Sequence, residues 1–258
     1  MEKIQIKTMA EFSSEGKIPE ILFWVGSAGS FDDRAKKITK AFVYILNKAK
    51  INFGVLGIEE SSSGDAAKRA GNEFLFQMQA ITNIEILNSY KVKKIVTTCP
   101  HAFNTLKNEY PSLGGNYDVI HHTQFISDLI NNGRLSVKGS LKNKRIVFHD
   151  PCYLGRANGI YNSPRNIIKA LGTQPIEMKR SKERSFCCGA GGAQMFKESE
   201  KGTQEVNINR TEEALKLNPS IIATGCPFCN TMLTDGVMNI KEGAAEVMDL
   251  AELISENI

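Results

Sequence analysis

Thr97-Thr98-Cys99-Pro100-His101-Ala102 returns as Thr224-Gly225-Cys226-Pro227-Phe228-Cys229, and the residues behind each copy, Asn104-Thr105-Leu106 and Asn230-Thr231-Met232-Leu233, continue the likeness. The offset is 127 positions in a chain of 258. Toward the N-terminal side of each copy the frame holds. Ser27 follows the apolar run Ile21 to Val25, and Ser62-Ser63-Gly64 begins 35 positions after it. Cys152 follows the run Arg145 to Phe148, and Cys187-Cys188-Gly189 also begins 35 positions later. At that end the offset is 125, so a two-residue difference in loop length reconciles both ends. The chain reads as a tandem duplication.

Each half alternates strand and helix signals. In the first, Ile21 to Val25, Phe53 to Leu56, Lys94 to Thr98 and Val119 to His121 are short apolar runs bounded by turn residues. Ser30 with Asp33 makes a cap-like helix start, and Ile38, Phe42, Ile45 and Ala49 then fall on one face. Ala66 to Tyr90 reads as one long helix, and another ends at Asn132-Gly133. The second half repeats the order, with strands over Arg145 to Phe148, Pro175 to Met178, Ser220 to Thr224 and Glu246 to Met248. Its helices are expected near 163–171, 193–217, 228–237 and 250–256. Strands that alternate with helices build parallel sheets covered on both faces. The fold class is therefore α/β, two tandem modules, each a small Rossmann-like parallel sheet with flanking helices. The polar stretch Asn131 to Lys144 is the natural boundary, which divides the chain into 1–135 and 136–258.

Five of the six cysteines lie in the second half, as Cys152, Cys187-Cys188 and the CxxC pair Cys226 and Cys229. Loops beyond the carboxyl ends of parallel strands converge on one crevice, so thiols this far apart in sequence can meet there. Five sulfurs are one more than tetrahedral zinc uses, which points to more than one metal atom and to iron–sulfur chemistry as the first reading. Zinc held by four of the five is the competing reading. A metal-free thiol–disulfide enzyme working through Cys226 and Cys229 is the third. Gly189, Gly191 and Gly192 remove Cβ atoms beside the paired cysteines, and Pro227 stiffens the CxxC turn. The first half lacks this donor set: Ser27, Ser62, Ser63 and Ala102 stand where thiols could serve, leaving Cys99 alone. Serine's hard hydroxyl is a poor substitute for a thiolate and alanine has no donor, so no cluster is expected there.

The spacing Cys, about 35 residues, Cys-Cys-Gly, about 35 residues, Cys-x-x-Cys resembles the cysteine-rich CCG family, which includes B- and D-type subunits of heterodisulfide reductase. Related subunits serve lactate, glycolate and glycerol-3-phosphate oxidation. The stretches His149-Asp150-Pro151-Cys152-Tyr153-Leu154-Gly155-Arg156 and Phe186 to Gly192 carry the likeness, which spans nearly the whole chain. The resemblance implies that Cys152, Cys187, Cys188, Cys226 and Cys229 bind an iron–sulfur cluster, a [4Fe-4S] cluster of noncubane type in heterodisulfide reductase. The first module would be a degenerate copy. The implied role is that of an electron-transferring subunit of an oxidoreductase. The chain has no ferredoxin-type run of its own, so a partner protein or subunit, with ferredoxin-type clusters or a flavin and in some systems membrane-associated, is expected to supply the wire.

The remaining features exclude rather than assign. A net charge of +4 and the absence of a basic stretch interleaved with aromatics argue against a nucleic-acid partner. No stretch has the roughly 18 uninterrupted apolar residues of a membrane span, and residues 1–15 lack a signal-like apolar region, so a cytoplasmic location is expected. In a reducing compartment clustered cysteines are ligands or redox groups rather than staples. Cys99 reads as a core thiol, His149 as a structural histidine beside the motif, His101 as a lining residue of the vacated site at most, and Lys179 to Arg184 as a solvated loop. Gly189-Ala190-Gly191-Gly192 is not a dinucleotide fingerprint, because cysteines occupy the turn where phosphate would sit.

Overall fold

The computed structural model describes residues 6–198 and 201–258. Two parallel sheets stand in it. The first contains β1 (Lys7–Thr8), β2 (Ile21–Trp24), β3 (Phe53–Val55), β4 (Lys94–Thr97) and β5 (Asp118–His121) in the order β1-β3-β2-β4-β5. The second contains β6 (Ile146–Phe148), β7 (Ile221–Thr224) and β8 (Glu246–Asp249) in the order β6-β7-β8. The run β2-β4-β5 is thus repeated as β6-β7-β8. The register repeats as well: Thr97 stands beside His121 and Thr224 beside Asp249. The chain is two tandem α/β modules.

Alternation along the central strands explains how the modules join. In β2, Ile21 and Phe23 face one core while Leu22 and Trp24 face another, as a period of two requires. In β6, Ile146 and Phe148 join the same core as Ile21 and Phe23, whereas Val147 faces away. Four helices complete this shared core: α3 (Asp33–Lys48), α7 (His122–Asn131), α8 (Asn162–Ala170) and α11 (Leu250–Ser255). Phe42, Phe125, Ile168 and Leu253 are among its residues. Outer helices close the other faces. From α5 (Glu73–Ser89) come Phe76, Ala80, Ile84 and Leu87, and from α10 (Pro227–Lys241) Leu233 and Val237. Each fully buried Leu, Ile or Phe adds about 1.5–3 kcal/mol of transfer free energy.

Polar ties cross the same interface. His121 and Asp249 occupy equivalent positions as N-caps of α7 and α11, each in a capping box closed by Gln124 or Glu252. His122 Nε2 meets Asp249 Oδ1 at 2.9 Å in a fully buried pair. Arg34 forks onto Glu252 at 2.7 and 2.8 Å and also donates to the Val247 carbonyl at 2.8 Å.

Several local expectations change. The helix expected over 66–90 is two, α4 (Asp65–Arg69) and α5, because Gly71 takes φ +85° and Asn72 caps α5 by accepting from Leu75 N. A short α2 (Gly26–Phe31) precedes α3, whose cap is Asp32, accepting from Ala35 N at 2.7 Å. The run Pro175 to Met178 reduces to one bridge, Ile176 to Val147. Over 193–217 only α9 (Val206–Leu215) is α-helical, since Gly192 and Ala193 hold positive φ and Gln194–Phe196 is a single 3-10 turn; residues 199–200 lie outside the described ones. The N-terminal stretch supplies an edge strand, β1, and α1 (Met9–Ser14), announced by a Thr8/Glu11 capping box that the polar reading of residues 1–15 passed over.

Candidate functional site

The crevice beyond the carboxyl ends of β6 and β7 collects the cysteines. Past Phe148, residues His149, Asp150 and Pro151 carry the chain to Cys152. Cys226 follows β7 by two residues as the N-cap of α10, with Pro227 at the first helical position and Cys229 two residues behind it. The Cys187-Cys188 loop is fastened to the Cys152 loop through Asp150. That carboxylate accepts from Arg165 Nη1 at 2.8 Å, Arg165 Nη2 at 3.0 Å and Lys182 N at 2.9 Å, while Ser185 Oγ donates to the Asp150 carbonyl at 2.9 Å. Arg156 also donates to the Ser185 carbonyl. Gly189 takes φ +96°, and a Cβ there would come within 3.3 Å of Val206 and 3.4 Å of Met232, so the turn behind the paired cysteines admits only glycine without strain.

The five sulfurs form one connected set. Cys188 Sγ lies 3.2 Å from Cys229 Sγ, far outside the roughly 2.05 Å of a disulfide. The Cys187 thiol neighbours those of Cys152 and Cys188, and the Cys226 thiol that of Cys229. All are free thiols; Cys188, Cys226 and Cys229 are buried, while Cys152 and Cys187 are partly exposed and form the mouth. Neighbouring sulfur, more than burial, drives the Cys152, Cys188 and Cys229 thiols upward. The Cys152 and Cys188 thiols hold Cys187 low. Burial opposes ionisation of Cys226, but the Cys229 thiol, His101 and the amides of residues 228 and 229 outweigh it. Five thiolates cannot coexist in this pocket without added positive charge, and metal ions supply that by deprotonating their thiol ligands. The donor set therefore fits a polynuclear metal group. Four sulfurs would satisfy a zinc ion and leave a partly charged fifth beside it.

The sequence reading missed the frame around the sulfurs. Asp150 and Arg165 bind loop to loop, and Asp150 was visible only as a member of the His-Asp-Pro-Cys run. Arg210, wholly buried on α9, donates through Nε to His149 Nδ1 at 3.0 Å and had no signal in the sequence. His149 is not fully satisfied, since its Nε2 is buried without a partner. Burial, and then the Arg210 charge, push its pKa well below the ordinary 6.5, so the ring is neutral. In the Lys179 to Arg184 run, Arg180 is engaged rather than solvated: it pairs with Glu213 at 2.8 Å and lies over the Phe186 ring at 3.9 Å.

The first module keeps the equivalent place. Ser27, Ser62, Ser63, Cys99 and Ala102, the positions that the duplication frame puts opposite the five cysteines of the second module, line one cavity of about 60 Å³ together with His101. Cys99 caps α6 (Pro100–Asn104) as Cys226 caps α10, and its burial raises its thiol pKa. His101 lines this cavity and bonds Asp65 at 2.9 Å, while its ring packs on Tyr153 and Phe228 of the second module. Burial works against its imidazolium, but the Asp65 bond and the charge of Cys226 outweigh it and raise its pKa. His121 and His122 serve the module interface; among the described residues they join no ligand cluster.

A family profile described as "CCG: Cysteine-rich domain" matches residues 21–107 and again residues 146–234. The chain belongs to the CCG cysteine-rich domain family. The first copy takes in β2, β3 and β4 of one sheet and the second β6 and β7 of the other, and the relatives that follow are named as oxidoreductases or a reductase subunit. It is 48% identical over 257 residues to the probable iron-sulfur-binding oxidoreductase FadF of Bacillus subtilis. It is 47% identical over 247 residues to the EtfAB:quinone oxidoreductase of Syntrophomonas wolfei. The D-type subunit of the dihydromethanophenazine:CoB–CoM heterodisulfide reductase of Methanosarcina barkeri is 34% identical over 248 residues. These matches take in 98%, 93% and 92% of this CCG chain but 36%, 34% and 58% of the relatives, so the chain spans about a third of the first two. No helix among the described residues is long and apolar enough to cross a membrane.

Proposed function

We propose that Cys152, Cys187, Cys188, Cys226 and Cys229 hold one iron–sulfur cluster of the [4Fe-4S] type, and that the chain is the electron-transferring part of an oxidoreductase complex. The observation that carries this is the convergence of five free thiols from three separate chain segments into one group of neighbouring sulfurs. Five ligands exceed the four of an ordinary cubane, which favours the noncubane form. When bound, the cluster supplies one-electron exchange. The chain's own part is to hold and shield it. The α10 amides and the Asp150 and Arg165 frame hold the sulfurs, buried Cys188, Cys226 and Cys229 keep water from three of them, and Cys152 and Cys187 leave the mouth through which a partner comes near. That partner is a polypeptide carrying further clusters or a flavin. The first module takes no cluster and acts as the packing partner of the second.

Anaerobic purification followed by iron, sulfide and zinc analysis, with EPR of the same sample, tests this. About four iron and matching sulfide per chain are expected, lost in Cys188→Ala and kept in Cys99→Ala. One zinc and no iron would overturn the proposal, as would iron that depends on Cys99.

A further inference from the structure

We propose that His149 is a fixed Nε2–H hydrogen-bond donor to the sulfur atoms of the cysteine site, locked in that tautomer by Arg210, and is not one of the site's metal ligands. The part concerning cluster sulfur rests on the proposed function; the tautomer does not.

Spacing alone would suggest the opposite. A ring nitrogen of His149 and the sulfurs of Cys188 and Cys229 all lie within 4.8 Å of one another, a grouping that a metal ion could use. The hydrogen bond on the far side of the ring decides against it. Arg210 Nε donates to His149 Nδ1 at 3.0 Å, and a guanidinium has only donors and does not lose its proton in proteins. Nδ1 must therefore present its lone pair, and a neutral imidazole then carries its one proton on Nε2. A protonated Nε2 has no lone pair to offer a metal. It does have a hydrogen to offer; Nε2 is buried without a hydrogen-bond partner among the described residues, and the Cys188 and Cys229 sulfurs lie within 4.8 Å of a ring nitrogen.

Neither partner is free to turn. His149 is 1% exposed and its backbone N–H bonds the Ala223 carbonyl at 2.9 Å, which ties it to β7. Arg210 is wholly buried, and its Nη1 donates to the Arg180 carbonyl and to Glu213 Oε2, each at 2.9 Å. Glu213 in turn accepts from Arg180 N at 2.7 Å and Arg180 Nε at 2.8 Å. The chain of contacts runs from the basic run through α9 to the sulfurs. Metal-ligating histidines most often donate their second nitrogen to a carbonyl or carboxylate. Here the second nitrogen accepts from a cation, the reverse arrangement. An N–H directed at thiolate or sulfide stabilises the more negative, reduced state, so His149 raises the reduction potential of whatever cluster the thiols hold.

The first measurement uses the metal-free wild-type protein labelled with ¹⁵N-histidine. The chain has four histidines, so two-dimensional ¹H–¹⁵N correlations, assigned through His149→Gln, report the His149 tautomer directly. A proton on Nε2 is expected; a proton on Nδ1 would overturn the proposal without reference to any metal. In the anaerobically purified protein, His149→Leu should keep its full iron content while the EPR-monitored midpoint moves to lower potential. A tenfold change in the reduction equilibrium is expected, which is 59 mV for one electron. His149→Gln, which retains an N–H at the Nε2 position, should recover part of that shift. Loss of iron in both variants to the level of Cys188→Ala would make His149 a ligand and sink the idea. An unmoved midpoint with iron intact would remove the sulfur bond. If the wild-type protein binds no iron at all, the proposed function falls, and the tautomer is still decided by the metal-free spectrum.

Discussion

Replacing Arg165 with Met is expected to cost more stability than replacing its partner Asp150 with Ala, although both changes break the same ion pair. Asp150 has a side chain only 3% exposed, and Arg165 supplies two of the three hydrogen bonds to its carboxylate. Without Arg165 that charge keeps only the Lys182 amide, and an uncompensated buried charge costs about 3–5 kcal/mol. Without Asp150 the guanidinium still forks onto Glu177 at 2.6 and 2.8 Å and donates to the Tyr161 carbonyl at 2.9 Å. The loss is then that of a few charge-assisted bonds, about 1.5–3 kcal/mol in net effect. For a chain of this size each kcal/mol moves Tm by about 2–4 °C, so Arg165→Met should lose roughly 6–20 °C and Asp150→Ala roughly half of that. Thermal unfolding of the metal-free proteins by circular dichroism gives the comparison, and the rate at which a thiol reagent labels Cys187 shows whether the loop has come loose. A drop below about 1 kcal/mol for Arg165→Met, or a larger drop for Asp150→Ala, would refute the view that Asp150 is a buried charge fastening the two cysteine loops.

Two further outcomes are expected. In Gly236→Ala a Cβ on α10 would collide with Thr211 Oγ1 and stand 2.9 Å from Thr211 Cβ on α9, so overpacking of about 1–3 kcal/mol should exceed the roughly 1 kcal/mol helix gain. Urea unfolding should show a net loss that Thr211→Ala partly restores; a stabilised single variant would contradict the close helix contact. Glu60, whose carboxylate accepts from Val25 N and Gly26 N, has its pKa raised by burial from the ordinary 4.5 to about 7. A raised folded-state pKa favours the protonated form on folding, so this contribution is full below about pH 4.5 and is lost as pH climbs through about 7. The stability difference between wild type and Glu60→Gln should therefore shift against the wild type by up to about 3 kcal/mol from pH 4.5 to pH 8. A difference that does not vary with pH would show that Glu60 is solvated.

Much of this was legible because strand periodicity and motif spacing survive in one dimension. The 125- and 127-residue offsets located the repeated strands, and the strands β2, β4, β6 and β7 begin and end within a residue or two of the apolar runs that announced them. The five thiols were readable as one set because loops at the same edge of a parallel sheet must meet. Backbone exceptions were harder. Gly71 and Asn72 split a continuous apolar pattern, and positive φ at Gly192 and Ala193 kept helix from starting where composition allowed it. Residues that act through long-range contacts left no trace at all. Nothing near Arg210 in sequence announces that it reaches 61 positions back to His149, and nothing near Asp150 announces Arg165 on the following helix.

The single apolar core that Phe23 and Phe148 enter from opposite sheets gives the two modules unequal freedoms. At the rim of the first module Ser27 and Ser62 line a small cavity outside the shared apolar core, so a hydroxyl can stand there in place of a thiol without touching that core. Its inner face has no such licence. Cutting away residues 21–107 would strip Ile21, Phe23, Phe42 and Phe53 from the core that Ile146, Phe148, Ile168 and Leu253 share, and the surviving half would lose much of the surface against which it packs. A duplicated fold joined in this way can give up half of its chemistry, but it cannot give up half of its chain.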